Sequence, residues 1–252
     1  MSDQQEKAQD FGALHVKGTP LVLHNVWDAG SAKAVAEGGA KAIATGSWAV
    51  AEAQGYGDGQ ELPLADVLRT ARQIVNAVKL PVSVDFEGGY GIAPKDVAEN
   101  LRALIDTGII GINFEDRIVR GSGLHTLSDQ TARIAAMRSA AEAAGVALFV
   151  NARTDVFFQD DPAPHADLMA QAIERANAYA DAGASGIFVP GLVDVELIAR
   201  FCAEQPLPVN ILRLDETLEI AALVNCGVAR ISHGPGPYIA AMQMLTKTVK
   251  GT

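Results

Sequence analysis

Pro81–Tyr90 reads PVSVDFEGGY, and one helical stretch later Ile110–Arg117 reads IGINFEDR. Each is a short apolar run that ends in acidic residues, as a buried strand does when it emerges at the rim of a sheet. Asp85, Glu87, Glu115 and Asp116 therefore sit at the C-terminal ends of two strands. A third run, Ala147–Asp155, ALFVNARTD, ends with Asn151, Arg153 and Asp155. Carboxylates gathered at strand ends repel one another and resist desolvation unless a cation lies among them. An arginine on the same rim suits an anionic substrate. The pattern predicts an enzyme with a hard divalent metal.

The same unit repeats on both sides. Strands are expected over 21–26, 41–46, 81–86, 110–115, 147–152, 184–189, 207–212 and 228–232. Helical patterns fall at 29–37, 64–78, 95–107, 128–144, 166–182, 194–204, 215–225 and 237–249. Gly39, Gly108, Gly145, Gly183 and Gly227 each stand between a helix and the next strand, where a left-handed residue ends a helix. Pro94, Ser128 and Asp194 mark helix starts. Parallel strands need crossover helices, and eight such units close into a (β/α)₈ TIM-type barrel, an α/β fold. An open doubly wound sheet is the rival, but Trp27–Ser31 after the first strand is no glycine-rich phosphate turn. One domain over residues 1–252 is expected, with 159–165, QDDPAPH, as a surface loop.

Composition bounds the partners. The 252 residues carry a net charge of −10, which disfavours nucleic acid and anionic membrane surfaces. No apolar run reaches transmembrane length, residues 1–10 are too polar for a signal peptide, and two cysteines, Cys202 and Cys226, suit a reducing cytoplasm.

On a barrel the strand ends form the active face. They offer Trp27 and Asp28; Thr45, Gly46, Ser47 and Trp48; Tyr56 and Asp58; Asp85, Glu87 and Tyr90; Asn113, Glu115 and Asp116; Asn151, Arg153 and Asp155; Asn210; and Ser232 with His233. Bland readings stand beside these: Arg153 paired structurally with Asp155 or Asp116, Asp58 making a turn, Trp48 packing, His233 a rim histidine.

The segments TGSWAVAEAQGYGD, VDFEGGYG, NFED and NARTD, in that order, resemble the isocitrate lyase/phosphoenolpyruvate mutase superfamily over about 21–247. Its members are Mg²⁺-dependent barrels that make or break C–C or P–C bonds of α-oxo or α-hydroxy acids through an enolate or related oxyanion. The resemblance implies Asp85 as direct ligand to Mg²⁺ or Mn²⁺, with Asp58, Glu87 and Glu115 holding metal-bound water. It implies that the Gly46 and Ser47 amides and Arg153 grip a substrate carboxylate, beside Thr45. Trp48 and Asn210 complete the expected substrate site, and Tyr90 and His125 are candidates for proton transfer. It also implies a homodimer or homotetramer in which the C-terminal helix is exchanged between subunits.

Lyases of this family usually carry a Lys-Cys-Gly-His lid, whose cysteine protonates the leaving carbanion. The corresponding stretch here, Arg117–Leu127, RIVRGSGLHTL, has no cysteine. It is expected to be mobile without ligand. The reading is a Mg²⁺-dependent lyase of small α-oxo or α-hydroxy carboxylic acids, oxaloacetate decarboxylase-like or a C–C lyase. Phosphoenolpyruvate or phosphonopyruvate mutase or hydrolase chemistry, and a catalytically weak metabolite-binding protein, are the alternatives.

Overall fold

The computed structural model describes residues 2–159, 164–214 and 216–251. In chain order these form α1 (Asp3–Ala13), β1 (Leu21–Leu23), α2 (Ala29–Glu37), β2 (Ile43–Ala44), α3 (Ser47–Glu52), α4 (Leu64–Ala77), β3 (Val82–Asp85), α5 (Pro94–Ile105) and β4 (Gly111–Glu115). They continue with α6 (Leu127–Ala143), β5 (Phe149–Arg153), α7 (His165–Asp181), β6 (Gly186–Phe188), α8 (Val195–Glu204), β7 (Val209–Leu212), α9 (Ile220–Asn225), β8 (Arg230–Ser232) and α10 (Gly236–Lys250). The eight strands lie in the order β1-β8-β7-β6-β5-β4-β3-β2. Neighbours pair in parallel, for example Asp85 with Asn113 and Asn113 with Asn151. The ring closes between the chain beyond β1 and that beyond β2: Val26 N–H donates to Ala44 O at 2.9 Å and Gly46 N–H to Val26 O at 3.2 Å. This is a (β/α)₈ barrel, as expected from the repeat.

The strand alternation decides what faces where. Val84, Ile112, Val150, Ile187, Val209 and Ile231 are buried on one face, against the helices. The other face is unusually polar for a barrel interior: Ser83, Asn113, Asn151, Asn210, Arg230 and Ser232 are all buried. The five helix-ending glycines have φ of +69° to +101°, as their positions predicted. Asp194 caps α8 and Pro94 opens α5; α6 is capped by Thr126 rather than started by Ser128. Asp28, one of the strand-end candidates, is the N-cap of α2 and accepts from Ser31 N–H at 2.7 Å.

Two helices were not foreseen. The six-residue α3 is too short to show a period. In α1 only Ala8 and Phe11 are buried, so its sequence carries no apolar stripe. It nonetheless forms the barrel floor. The Phe11 ring meets Phe149 edge-on at 5.4 Å, and His15 stacks on Phe149 at 4.0 Å. Gly111 leaves the room, since a Cβ there would stand 3.1 Å from Phe11. The expected helix at 215–225 is shorter than its pattern, with α9 beginning at Ile220. The expected loop at 159–165 lies partly outside the described residues; His165 already belongs to α7. Among the described residues no helix is long and apolar enough to cross a membrane.

Candidate active site

The C-terminal mouth of the barrel holds a cavity of about 190 Å³, lined by Asn25, Gly46, Ser47, Trp48, Asp58, Asp85, Asn113, Arg153 and Ser232 among polar and aromatic groups. Phe158, Phe188, Leu212 and Leu214 form an apolar wall.

Asp85 ends β3, and three contacts fix it. Its N–H donates to Thr45 Oγ1 at 2.9 Å, and its Oδ2 accepts from Ser47 N–H at 3.1 Å and Ser47 Oγ at 2.9 Å. Thr45 is thus a strut beneath Asp85 rather than a group facing substrate. The Asp85 Oδ1 oxygen is buried and has no hydrogen-bond partner among the described residues. A buried carboxylate oxygen without a donor is costly unless a cation takes that place.

The turn after β3 brings Glu87 and Tyr90 beside it. Both residues have positive φ, +49° and +56°, in the left-handed region that non-glycine residues avoid. The turn is held there from all sides. Glu87 Oε1 accepts from Gln60 N–H at 2.8 Å and Oε2 from Tyr90 Oη at 3.0 Å. Asn100 Nδ2 donates to the carbonyls of Gly89 and Tyr90. The buried Arg133 guanidinium donates to the carbonyls of Gly88 and Gly91. Gly89 must be glycine: its φ is +78°, and a Cβ would press on Phe114, Val97 and Met137 at 3.0–3.1 Å.

Arg153, at the end of β5, is engaged by two carboxylates. Nε and Nη2 donate to the two oxygens of Asp155 at 2.6 and 2.9 Å, and Nη1 lies 3.0 Å from Glu115 Oε2. The structural pairing with Asp155 is real. It does not exhaust the guanidinium, which has five N–H donors and here uses three, leaving a fixed edge that lines the cavity. Asp116, by contrast, is wholly buried and structural. It accepts from Thr154 Oγ1, Tyr179 Oη, Arg175 Nη1 and the Asp155 N–H, tying β4 and β5 to α7.

The electrostatics follow. Burial pushes the Glu87 carboxyl up to about 7, and the neighbouring Asp85 charge adds to it. Burial raises Glu115 against the pull of Arg153. Asp58, at the mouth, is raised by partial desolvation and by Asp85. Burial opposes the Arg153 charge, yet Glu115 and Asp155 hold that guanidinium well above its ordinary range. Carboxylates outnumber cations here, and the donors are hard oxygens without sulfur, so the set fits Mg²⁺ or Mn²⁺. Among the described residues no three His, Cys, Asp or Glu side chains converge closely enough to hold an ion directly. That geometry suits one direct ligand, Asp85, with further acids acting through water, a habit of Mg²⁺.

Other expected residues differ in their partners or their place. The Gly46 and Ser47 amides, expected to grip substrate, donate to Val26 O and to Asp85 Oδ2, because barrel closure and the strut on Asp85 use them first. Trp48 lines the cavity and meets Tyr238 edge-on at 5.8 Å. Asn210 is buried beneath the cavity, its Oδ1 accepting from Ser232 Oγ at 3.2 Å. His125 lines a separate pocket with Arg117, Arg120 and Arg133. Burial and the Arg133 charge lower its imidazole below the usual range. Its segment is folded back on itself, with Ile118 N–H donating to Gly123 O and His125 N–H to Asp116 O, and Arg120 Nη2 ties it to Gln60 O in the loop before α4. Cys202 and Cys226 belong to the α8–α9 side of the barrel and do not line the cavity.

Asn25 escaped sequence reading. Its Oδ1 accepts from the N–H groups of His233 and Gly234, and its Nδ2 donates to Thr45 O, joining the mouths of β1, β2 and β8. An asparagine near the end of the expected strand 21–26 was the available signal. Arg230 was missed as well; a lone charge inside the run VARIS was its signal.

The family description phosphoenolpyruvate phosphomutase matches residues 11–252. An uncharacterized protein of Mycobacterium tuberculosis is 37% identical over 232 residues, covering 92% of this chain and 84% of its own. The oxaloacetate decarboxylase of Chromohalobacter salexigens is 28% identical over 247 residues, covering 95% and 83%. A crystal structure from Burkholderia cenocepacia, provisionally named a phosphonomutase, superposes with a TM-score of 0.96 at 49% identity, over 98% of this chain and 99% of its own.

Proposed function

The chain belongs to the phosphoenolpyruvate phosphomutase family, and from that premise we propose that it is a Mg²⁺-dependent lyase of small α-oxo acids, with decarboxylation of an oxaloacetate-type substrate as its reaction. It is an enzyme of the isocitrate lyase/phosphoenolpyruvate mutase superfamily. The observation that carries the finer reading is the unpartnered Asp85 Oδ1 beside the free edge of Arg153, in one cavity of about 190 Å³. That volume is below the roughly 300–1,000 Å³ of pockets for drug-sized ligands. A few-carbon acid is the natural occupant.

A divalent cation at Asp85 would supply electrophilic stabilisation of the developing oxyanion. The chain's own groups do the rest. Arg153, braced by Asp155 and Glu115, would hold one substrate carboxylate without reorganising. Among the described lining residues Arg153 is the one cation, so a second carboxylate meets Phe158, Phe188, Leu212 and Leu214. A carboxylate left without a partner against an apolar wall is destabilised relative to CO₂. The C–C bond then breaks, its electron pair passes into the oxo group as an enolate, and a proton from water completes the product. Neither cysteine lines the cavity, which disfavours a lyase that must protonate a larger carbanion.

The test is turnover of oxaloacetate, methylisocitrate, dimethylmalate and phosphonopyruvate, each with Mg²⁺ and after chelation. Metal-dependent release of CO₂ from oxaloacetate is expected. Turnover of phosphonopyruvate alone would favour phosphorus–carbon chemistry, and no turnover of any would leave a metabolite-binding protein.

A further inference from the structure

Beneath the cavity lies a buried cation that makes no ion pair with a carboxylate among the described residues. Arg230, the first residue of β8, is fully buried in the barrel interior. Its Nε and Nη1 have no hydrogen-bond partner among the described residues, and its Nη2 donates to Asn113 Oδ1 at 3.2 Å. Burial pushes its guanidinium down only to about 10, with Asp85 opposing the fall, so it stays charged at neutral pH. An unpaired buried charge is among the costliest features a core can keep, and a neutral side chain of similar size would pack there more cheaply. Its one hydrogen bond therefore matters.

That bond ends on a residue of the cavity. Asn113 lines the cavity with Asp85 and Arg153 and sits opposite Asp85 in the β3–β4 register. Two donors converge on one atom of its amide: Arg230 Nη2, and Asn151 Nδ2 at 2.9 Å. Arginine has no acceptor, so the atom facing it is the carbonyl oxygen. With Oδ1 held from below, the amide nitrogen is the group left to face the cavity. Gly186 completes the support, since a Cβ there would stand 2.9 Å from Asn151 Oδ1.

We propose that Arg230 is a positioning residue, which holds the Asn113 amide in the one orientation that presents Nδ2 to the cavity as a preorganised donor for a carboxylate or oxo oxygen of the substrate. Without Arg230 one of the two donors is lost and the amide can turn. Turned, it would show an oxygen to an anionic ligand. The role of the amide rests on the α-oxo acid reading given above; its orientation by Arg230 does not.

The experiment has two parts. In ligand-free protein with ¹⁵N-labelled asparagine, the Asn113 Nδ2 signals are expected to shift and broaden in Arg230→Met. Unchanged signals overturn the proposal, whatever the enzyme turns over. The second part titrates oxalate, in the presence of Mg²⁺, by calorimetry. Arg230→Met and Asn113→Leu should each weaken oxalate about tenfold, the scale of one hydrogen bond. The double variant should lose no more than Asn113→Leu alone. Additive losses would show that Arg230 acts by another route and overturn the proposal. Asn113→Asp guards against a folding defect in Arg230→Met. It gives Arg230 an ionic partner, so it should unfold at no lower urea concentration than wild type, yet it offers no donor and should lose oxalate about a hundredfold. Normal oxalate binding by Asn113→Asp overturns the proposal. If wild-type protein with Mg²⁺ ignores oxalate, the α-oxo acid reading fails, and the amide signals still decide the orientation.

Discussion

At the scale of single residues, the site is a set of groups whose partners decide their roles. Asp85 is held through Oδ2 by the N–H and hydroxyl of Ser47, while Oδ1 has no hydrogen-bond partner among the described residues, so its removal strands two donors and takes away the proposed direct metal ligand. Asp85→Ala is expected to abolish turnover, and exhaustive chelation should do the same to the wild-type enzyme; full activity after chelation would refute the metal role. Arg153 is a different case, because it braces buried Asp155 as well as facing the cavity. A lysine keeps the charge but not the two-pronged geometry. Arg153→Lys should lower kcat/KM by about a hundredfold, the scale of misplacing a binding group, with a smaller effect on unfolding. A large fall in melting temperature with unchanged kinetics would make Arg153 structural only. The acid strand ends were legible because each closes an apolar run. That Asp116 is a hub for Thr154, Arg175 and Tyr179 was not, since those partners come from another strand and a distant helix.

At the scale of elements, α1 and the segment after β4 take their roles from partners distant in sequence. The α1 helix delivers the floor, and His15 just beyond it lies buried between Phe11 and Phe149. Burial first, and then the Arg230 charge, lower its pKa to about 3 from the ordinary 6.5. The unfolded chain therefore binds a proton that the folded chain refuses. Stability from this group is full above pH 6.5 and is lost as pH falls toward 3. At pH 5 the loss is roughly 2 kcal/mol. His15→Phe, which keeps the stacking, should escape it. Urea unfolding at pH 7.5 and pH 5 should show the variant gaining on wild type by about that amount; a pH-independent difference would contradict the buried neutral ring. The segment after β4 is folded into a turn closed by the Arg117–Leu124 bridge. Its histidine lines a pocket apart from Asp85 and Arg153, so if the proposed decarboxylation is the reaction, His125→Ala should leave most of its rate. A rate that collapses by a hundredfold or so, with an acid limb missing from the pH profile, would restore His125 as a general acid.

At the scale of the molecule, the final helix presents an uncovered apolar surface. No residue of α10 is buried, and Met244, Leu245 and Val249 are more than half exposed. An apolar face of this kind marks an interface, so a homodimer or homotetramer is expected by light scattering at micromolar concentration. A monomer would reject the exchange of α10 between subunits. What the sequence by itself determined is the repeat: eight apolar runs with helices between them, glycines at the helix ends, and acids and an arginine at strand ends. These are legible because strand alternation, helix period and left-handed glycine are local properties of a chain. Only the tertiary structure decided which polar groups meet. The free oxygen of Asp85, the double engagement of Arg153, the separate pocket of His125 and the Arg230–Asn113 contact all join strands or loops far apart in sequence. Ring closure and strand register bring them together. A charge inside VARIS or an asparagine inside GINFE looks the same in sequence whether it faces a helix or the barrel interior. Its place in the closed ring assigns its partner.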